Sequence, residues 1–105
     1  MEQPNLTYIN ELSGDNIDFK NRIISILKKE LPEEISLYNT HKKESDFAQM
    51  YQSVHKLKHK ITVLGLEKSY YLAEKYESNL KNNSTELQVD FENVLKQMQD
   101  YVTLL

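Results

Sequence analysis

Between Phe47 and Leu64 the apolar residues recur at gaps of three and four: Phe47, Met50, Val54, Leu57, Ile61 and Leu64. That spacing lines one stripe of an α-helix and does not fit the alternation of a half-buried strand. A helix with such a stripe must bury it against other elements, so this segment commits the chain to a helical core. His55 falls in the middle of the segment, about 130° around the helix from the centre of the stripe. It is expected on the solvent side, rigidly mounted, as suits a side chain that presents a ring nitrogen to another molecule.

The rest of the chain carries the same periodicity. Residues 6–12 read as a short helix, broken by Ser13-Gly14-Asp15. Asp15 is placed to cap the next helix, with Asp18 in its first turn, and Phe19, Ile23, Ile26, Leu27 and Leu31 form its buried stripe. Pro32 disrupts a helix interior, so the chain is expected to bend or restart there, with Ile35 and Tyr38 continuing an apolar face. Ser45 or Asp46 caps the His55 helix, and Gly65 ends it. A further helix runs over 67–80 with Leu72, Ala73, Tyr76 and Leu80 inward, while Tyr70, Tyr71 and Tyr76 keep their polar tips near solvent. After the turn at 81–84, Asn83 and Glu86 have capping-box spacing. The last helix then buries Leu87, Phe91, Val94, Met98 and Val102.

Only two glycines and two prolines occur in 105 residues, too few for the turns of a sheet-rich fold. Short connections make consecutive long helices pack antiparallel. The expected fold is all-α: one domain over 1–105, an antiparallel up-down four-helix bundle with one or two short helices at the amino end. No apolar run reaches the ~20 residues of a membrane span. No basic-then-apolar signal opens the chain and no cysteine is present, so a cytoplasmic location is the simplest expectation. The net charge of −3 argues against general attraction to nucleic acid.

The stretch around His55 resembles the phosphoacceptor helix of histidine-phosphotransfer (HPt) domains. That family has a Leu two residues after its His, a Lys three on, a small residue (usually Gly) four on, and Leu-Gly nine and ten on. Those places hold Leu57, Lys58, His59, Leu64 and Gly65, so His59 is the one departure. The opening Leu12-Ser13-Gly14-Asp15 and the later Leu31-Pro32-Glu33-Glu34 also resemble the family, and the likeness extends over nearly the whole chain. It implies a phosphorelay intermediate: His55 accepts a phosphoryl group from a receiver-domain aspartate and passes it to another receiver. Response-regulator receivers or a hybrid sensor kinase are the implied partners, and a monomer is the usual state. The implied Mg²⁺ is held by the receiver's carboxylates, with no cofactor on this chain. Such a domain is a carrier rather than a self-sufficient catalyst.

A neutral imidazole nitrogen is nucleophilic near pH 7, and phosphoryl transfer asks a protein mainly for position and electrostatics. Lys58, about one turn after His55, lies within reach of the phosphate oxygens as a point charge. Lys56 and Lys60 raise the local potential. Tyr51, Gln52 and Lys56 border the docking face, and Ala48 and Thr62 leave room on it with small side chains. His59 leans over the His55 ring, because helical side chains tilt toward the amino terminus. It has three readings: donating to the phosphoryl oxygens, restricting which receivers dock, or blocking transfer.

Two histidines at i and i+4 also form a metal pair, but tight zinc binding wants further protein ligands. No carboxylate lies within a turn on that face of the helix, so no metal site is expected. The alternative to a relay is a non-transferring adaptor that docks a receiver or other protein through the His55 face. A bundle binding nucleic acid through Lys56, Lys58 and Lys60 lacks aromatic stacking partners and net positive charge. No Gly-rich phosphate loop, paired carboxylate motif or cofactor fingerprint supports a conventional hydrolase or redox enzyme.

Overall fold

The computed structural model describes residues 2–105, which form five α-helices and, among them, no strand. These are α1 (Thr7–Ser13), α2 (Ile17–Lys43), α3 (Phe47–Val63), α4 (Glu67–Lys81) and α5 (Gln88–Thr103). The 27 residues of α2, at 1.5 Å each, give a rod of about 40 Å. It sets the long dimension of a molecule measuring 45 × 24 × 19 Å. α2 and α4 each pack against both α3 and α5, and α1 lies on α2. No helix is long and apolar enough to cross a membrane among the described residues.

The chain does not restart at Pro32: α2 runs through it unbroken. The ring removes one backbone donor, which leaves the carbonyl of Lys28 without its helical partner. Both residues are exposed, so water can serve that carbonyl. Leu27 and Leu31 before the proline and Tyr38 after it are buried in one core, so packing on both sides of the proline holds the helix continuous. The inward stripe of α2 is narrower than the sequence implies. Phe19 and Ile26 are exposed, because the seam runs through Leu27 and Leu31 and Ile26 points about 100° away from it.

Helix boundaries follow local chemistry. Asn16, not Asp15, caps α2: its Oδ1 accepts from Phe19 N at 3.0 Å. Gly14, at φ +54°, carries the turn one residue further than the sequence pattern implies. Asp46 caps α3 through Gln49 N at 3.1 Å. α3 ends in a Schellman turn, with Leu66 N donating to Ile61 O at 3.1 Å and Gly65 N to Thr62 O at 3.0 Å. Asn83 departs from its expected role. At φ +57° it closes α4 by the same motif, with Ser84 N donating to Asn79 O and Asn83 N to Leu80 O. It therefore terminates a helix and does not open the next. Asn tolerates the left-handed region better than most residues, which makes it a ready substitute for Gly there.

The first turn of α4 has no cap from its own segment; Glu2 supplies one. Its carboxylate accepts from Lys68 N at 2.8 Å, Ser69 N at 3.0 Å and Ser69 Oγ at 3.2 Å. Gln97 Nε2 of α5 donates to the Glu2 carbonyl at 2.7 Å, and Asn5 N donates to Leu64 O at 2.9 Å. Residues 2–5 thus form an amino-terminal strap that ties three helices together. At the far end of the core Tyr38, Tyr76 and Phe91 are fully buried. Tyr38 donates to Glu92 Oε2 at 3.0 Å, so Tyr76, at 2.7 Å, donates to Tyr38. Tyr76 does not keep a tip near solvent, whereas Tyr71 is largely exposed.

Candidate functional site

The apolar stripe of α3 is buried as its spacing requires: Met50, Val54, Leu57, Ile61 and Leu64 are all inside, and Phe47 is partly so. That phase turns His55 outward, and 51% of its side chain is exposed. The ring is nevertheless held. Its Nδ1 lies 3.2 Å from Oε2 of Glu77, which comes from α4. A carboxylate only accepts, so in the neutral ring Nδ1 carries the hydrogen and Nε2 keeps its lone pair.

Glu77 itself is buried, with only 5% of its surface exposed. Its second oxygen, Oε1, stands 2.6 Å from Lys58 Nζ in the geometry of an ion pair rather than of a directed hydrogen bond. Lys58 also faces Glu74 at 3.9 Å and the ring of Tyr70 at 5.2 Å. Partial burial alone would lower the Lys58 pKa; the adjoining Glu77 carboxylate outweighs it and raises the value above the ordinary lysine range. Lys58, expected as a point charge for phosphate oxygens, is thus already half of a largely buried pair with Glu77 beside His55.

Two rings flank His55 along α3. Tyr51, one turn before it, lies nearly parallel at 15° with centroids 6.3 Å apart, and carries Lys81 Nζ at 4.9 Å from its ring. His59, one turn after it, meets it edge-on at 5.8 Å. Ala48, Gln52, His59 and Thr62 are exposed along this side of the helix. Thr62 opens into a groove of about 640 Å³ shared with Tyr8, Tyr70 and Tyr71. Lys56 is exposed and borders a smaller cleft with Glu33, Glu34 and Leu37 of α2.

The lysine run does not form one basic patch. Lys60 is held by Glu30 and Glu34, each at 2.9 Å. Burial pulls its pKa down, but the two carboxylates outweigh this and raise it. With Lys58 also paired, Lys56 is the member of the run that faces solvent without a carboxylate in ion-pair range among the described residues. An anion-binding surface built on all three lysines has lost most of its charge.

Glu77 is the site residue that the sequence reading passes over. A signal was present: Ala73, Tyr76, Glu77 and Leu80 share the inward face of α4, and an acid on an apolar stripe needs a buried partner. What the spacing could not show is that the partners are His55 and Lys58 of the neighbouring helix. Among the described residues no group of three or more His, Cys, Asp or Glu is arranged to hold a metal ion. Comparison of the chain with protein-family models, with curated proteins and with solved structures finds no match.

Proposed function

We propose that the chain is a histidine-phosphotransfer module, taking a phosphoryl group onto His55 from a receiver aspartate and handing it to another receiver. The observation that carries this reading is the pairing of a half-exposed His55 with a buried Glu77 at its Nδ1. The carboxylate selects the tautomer whose outward Nε2 is nucleophilic. Nε2 attacks the phosphorus of an aspartyl phosphate in line, the bond to the aspartate oxygen breaks, and a P–N bond forms. Nδ1 keeps its hydrogen, so no proton need leave, and the positive charge that develops on the ring is met by Glu77. Onward transfer reverses these changes.

The architecture supports the same reading. The connections at 44–46, 64–66 and 82–87 are short, which favours an antiparallel up-down arrangement of α2–α5 with α1 as an appendage. In this reading Lys58 supplies positive potential from beside Glu77, and Tyr51, Gln52, Lys56, Ala48 and Thr62 form the surface a receiver meets. The receiver brings Mg²⁺ on its own carboxylates. The module acts as a monomer in the cytoplasm, with proteins rather than nucleic acid as partners.

One observation favours a second reading. The His59 ring stands 5.8 Å from that of His55, in the space a glycine would leave open. A side chain there could exclude a receiver's aspartyl phosphate and leave a non-transferring adaptor. Phosphoryl transfer from labelled phospho-receivers to the wild-type chain and to His55→Gln separates the two. Acid-labile, base-stable label on the wild type and none on the variant is the expected result. A receiver that binds the folded chain yet labels neither protein would replace the relay with the adaptor. His59→Ala then reports on His59: transfer falls if the ring assists the phosphoryl oxygens and rises if it obstructs docking.

A further inference from the structure

We infer that His55 and His59 form a two-histidine site for a borderline divalent transition-metal ion such as Zn²⁺, and that the ion competes with phosphorylation of His55. The competition rests on the phosphoacceptor reading above; the metal site does not.

Two histidines four residues apart on a helix face the same way and chelate one ion between them. An ion about 2.0–2.1 Å from one nitrogen of each ring puts the ring centroids on the order of 5 Å apart. The His55 and His59 centroids are 5.8 Å apart, and both residues are exposed, so a modest turn of the His59 ring closes the difference. The decisive feature is Glu77. Histidine ligands to metals generally donate their other N–H to a carboxylate, which fixes the tautomer and makes the ligating nitrogen more basic. Glu77 makes that contact to His55 Nδ1 at 3.2 Å. The sequence argued against a site because no carboxylate lies on the His55 face of its own helix; α4 provides one, behind the ring rather than among the ligands.

The rest of the coordination shell is water, since the surrounding surface at Gln52 and Thr62 is open. Two imidazoles select ions that favour nitrogen ligands and leave Mg²⁺ and Ca²⁺, which want oxygen, unbound. The Mg²⁺ of a receiver therefore does not occupy the site. The electron pair that binds the ion is the Nε2 pair that would attack phosphorus, so metal and phosphoryl group exclude one another.

The test titrates Zn²⁺ into the full chain by calorimetry, with imidazole ¹⁵N shifts read in parallel. Expected are shifts at His55 and His59 and none with Mg²⁺. Affinity should fall at least about tenfold in His59→Gln and in Glu77→Gln, the usual range for loss of a ligand's carboxylate partner being about 10–100-fold. His41→Gln should bind as the wild type does. Equal Zn²⁺ affinity in wild type and His59→Gln, or shifts confined to His41, would overturn the site. In the transfer assay Zn²⁺ should slow labelling of the wild type, EDTA should restore it, and His59→Gln should lose the sensitivity. Equal sensitivity in both chains would overturn the competition. Failure of labelling without metal would instead strike the phosphoacceptor reading, with the binding measurements still deciding the site.

Discussion

Glu77 Oε2 stands 3.2 Å from His55 Nδ1, so an acid sealed inside the α3–α4 seam sets the chemistry of a ring that is half in water. The same carboxylate compensates Lys58, whose side chain is only 11% exposed. The two duties separate by substitution. Glu77→Gln keeps an oxygen for the Nδ1 hydrogen but removes the charge, and phosphorylation of His55 is expected to slow about tenfold, equivalent to about 1.4 kcal/mol of lost transition-state stabilisation. Glu77→Ala also strands the Lys58 ammonium, for which Glu74 at 3.9 Å is a weaker substitute. It should lower stability by about 1–3 kcal/mol, read as a shifted urea midpoint with unchanged slope.

Pro32 provides an independent test of α2 as one continuous helix. An interior proline costs about 3 kcal/mol relative to alanine in an unconstrained helix, through the lost hydrogen bond and the clash with the preceding turn. Here packing on both sides of the residue holds the helix continuous, and Pro32 itself is exposed. Pro32→Ala should therefore stabilise the protein, by about 1–3 kcal/mol, with no change at His55. A destabilised variant would mean that the proline sets a bend which the core requires.

The difference between what could and could not be read from the sequence lies in the range of the cause. The α3 stripe and the Gly65 stop depend on neighbours within a turn, and spacing alone places them; it narrows the α3 cap to Ser45 or Asp46, and the folded backbone selects Asp46. The path through Pro32 depends on a core that holds Leu31 and Tyr38 at once, which overrides a local preference. Asn83 has two local uses, opening α5 or closing α4, and only the backbone geometry decides between them. Glu2 caps a helix that begins 65 residues later. The site divides in the same way: the outward phase of His55 is a local property, whereas its control by Glu77 arises from the packing of α4 on α3.

Stability should fall at both ends of the pH scale for identifiable reasons. Burial, reinforced by the Glu92 carboxylate that accepts its hydrogen, holds the Tyr38 hydroxyl well above the ordinary tyrosine range, and burial raises Tyr76 as well. The native state thus keeps protons that the unfolded chain releases above its ordinary value of 10.0. Stability is intact below that pH and is lost as pH rises beyond it. Lys58 and Lys60 act in the same direction. At the acid end, burial raises the Glu2 pKa, but donation from Lys68 and Ser69 outweighs it; Glu30 is lowered by Lys60. Their contribution is present above the ordinary carboxylate value of 4.5 and is lost as pH falls through their lowered values. Thermal midpoints across pH should show a plateau with both shoulders. Tyr38→Phe should lower the plateau by about 1–2 kcal/mol, by leaving the Tyr76 hydroxyl without its acceptor, and should soften the alkaline shoulder.

Gly65 joins the end of α3 to the amino-terminal strap, and two effects can be separated there. Its φ of +73° disfavours any side chain, and a Cβ on it would meet Asn5 Oδ1 at 2.6 Å. Gly65→Ala should therefore cost about 1–2 kcal/mol for the left-handed backbone plus a further amount for displacing Asn5. Asn5 N donates to Leu64 O and Asn5 Oδ1 accepts from Thr7 N, so movement of this residue loosens the strap on both sides. Asn5→Ala removes the obstructing side chain while keeping the backbone bond. In the double variant Gly65→Ala/Asn5→Ala, the loss should be smaller than the sum of the two single losses, leaving the cost of the backbone itself. A double-mutant cycle in urea measures the difference, and strict additivity would show that the strap does not press on this turn.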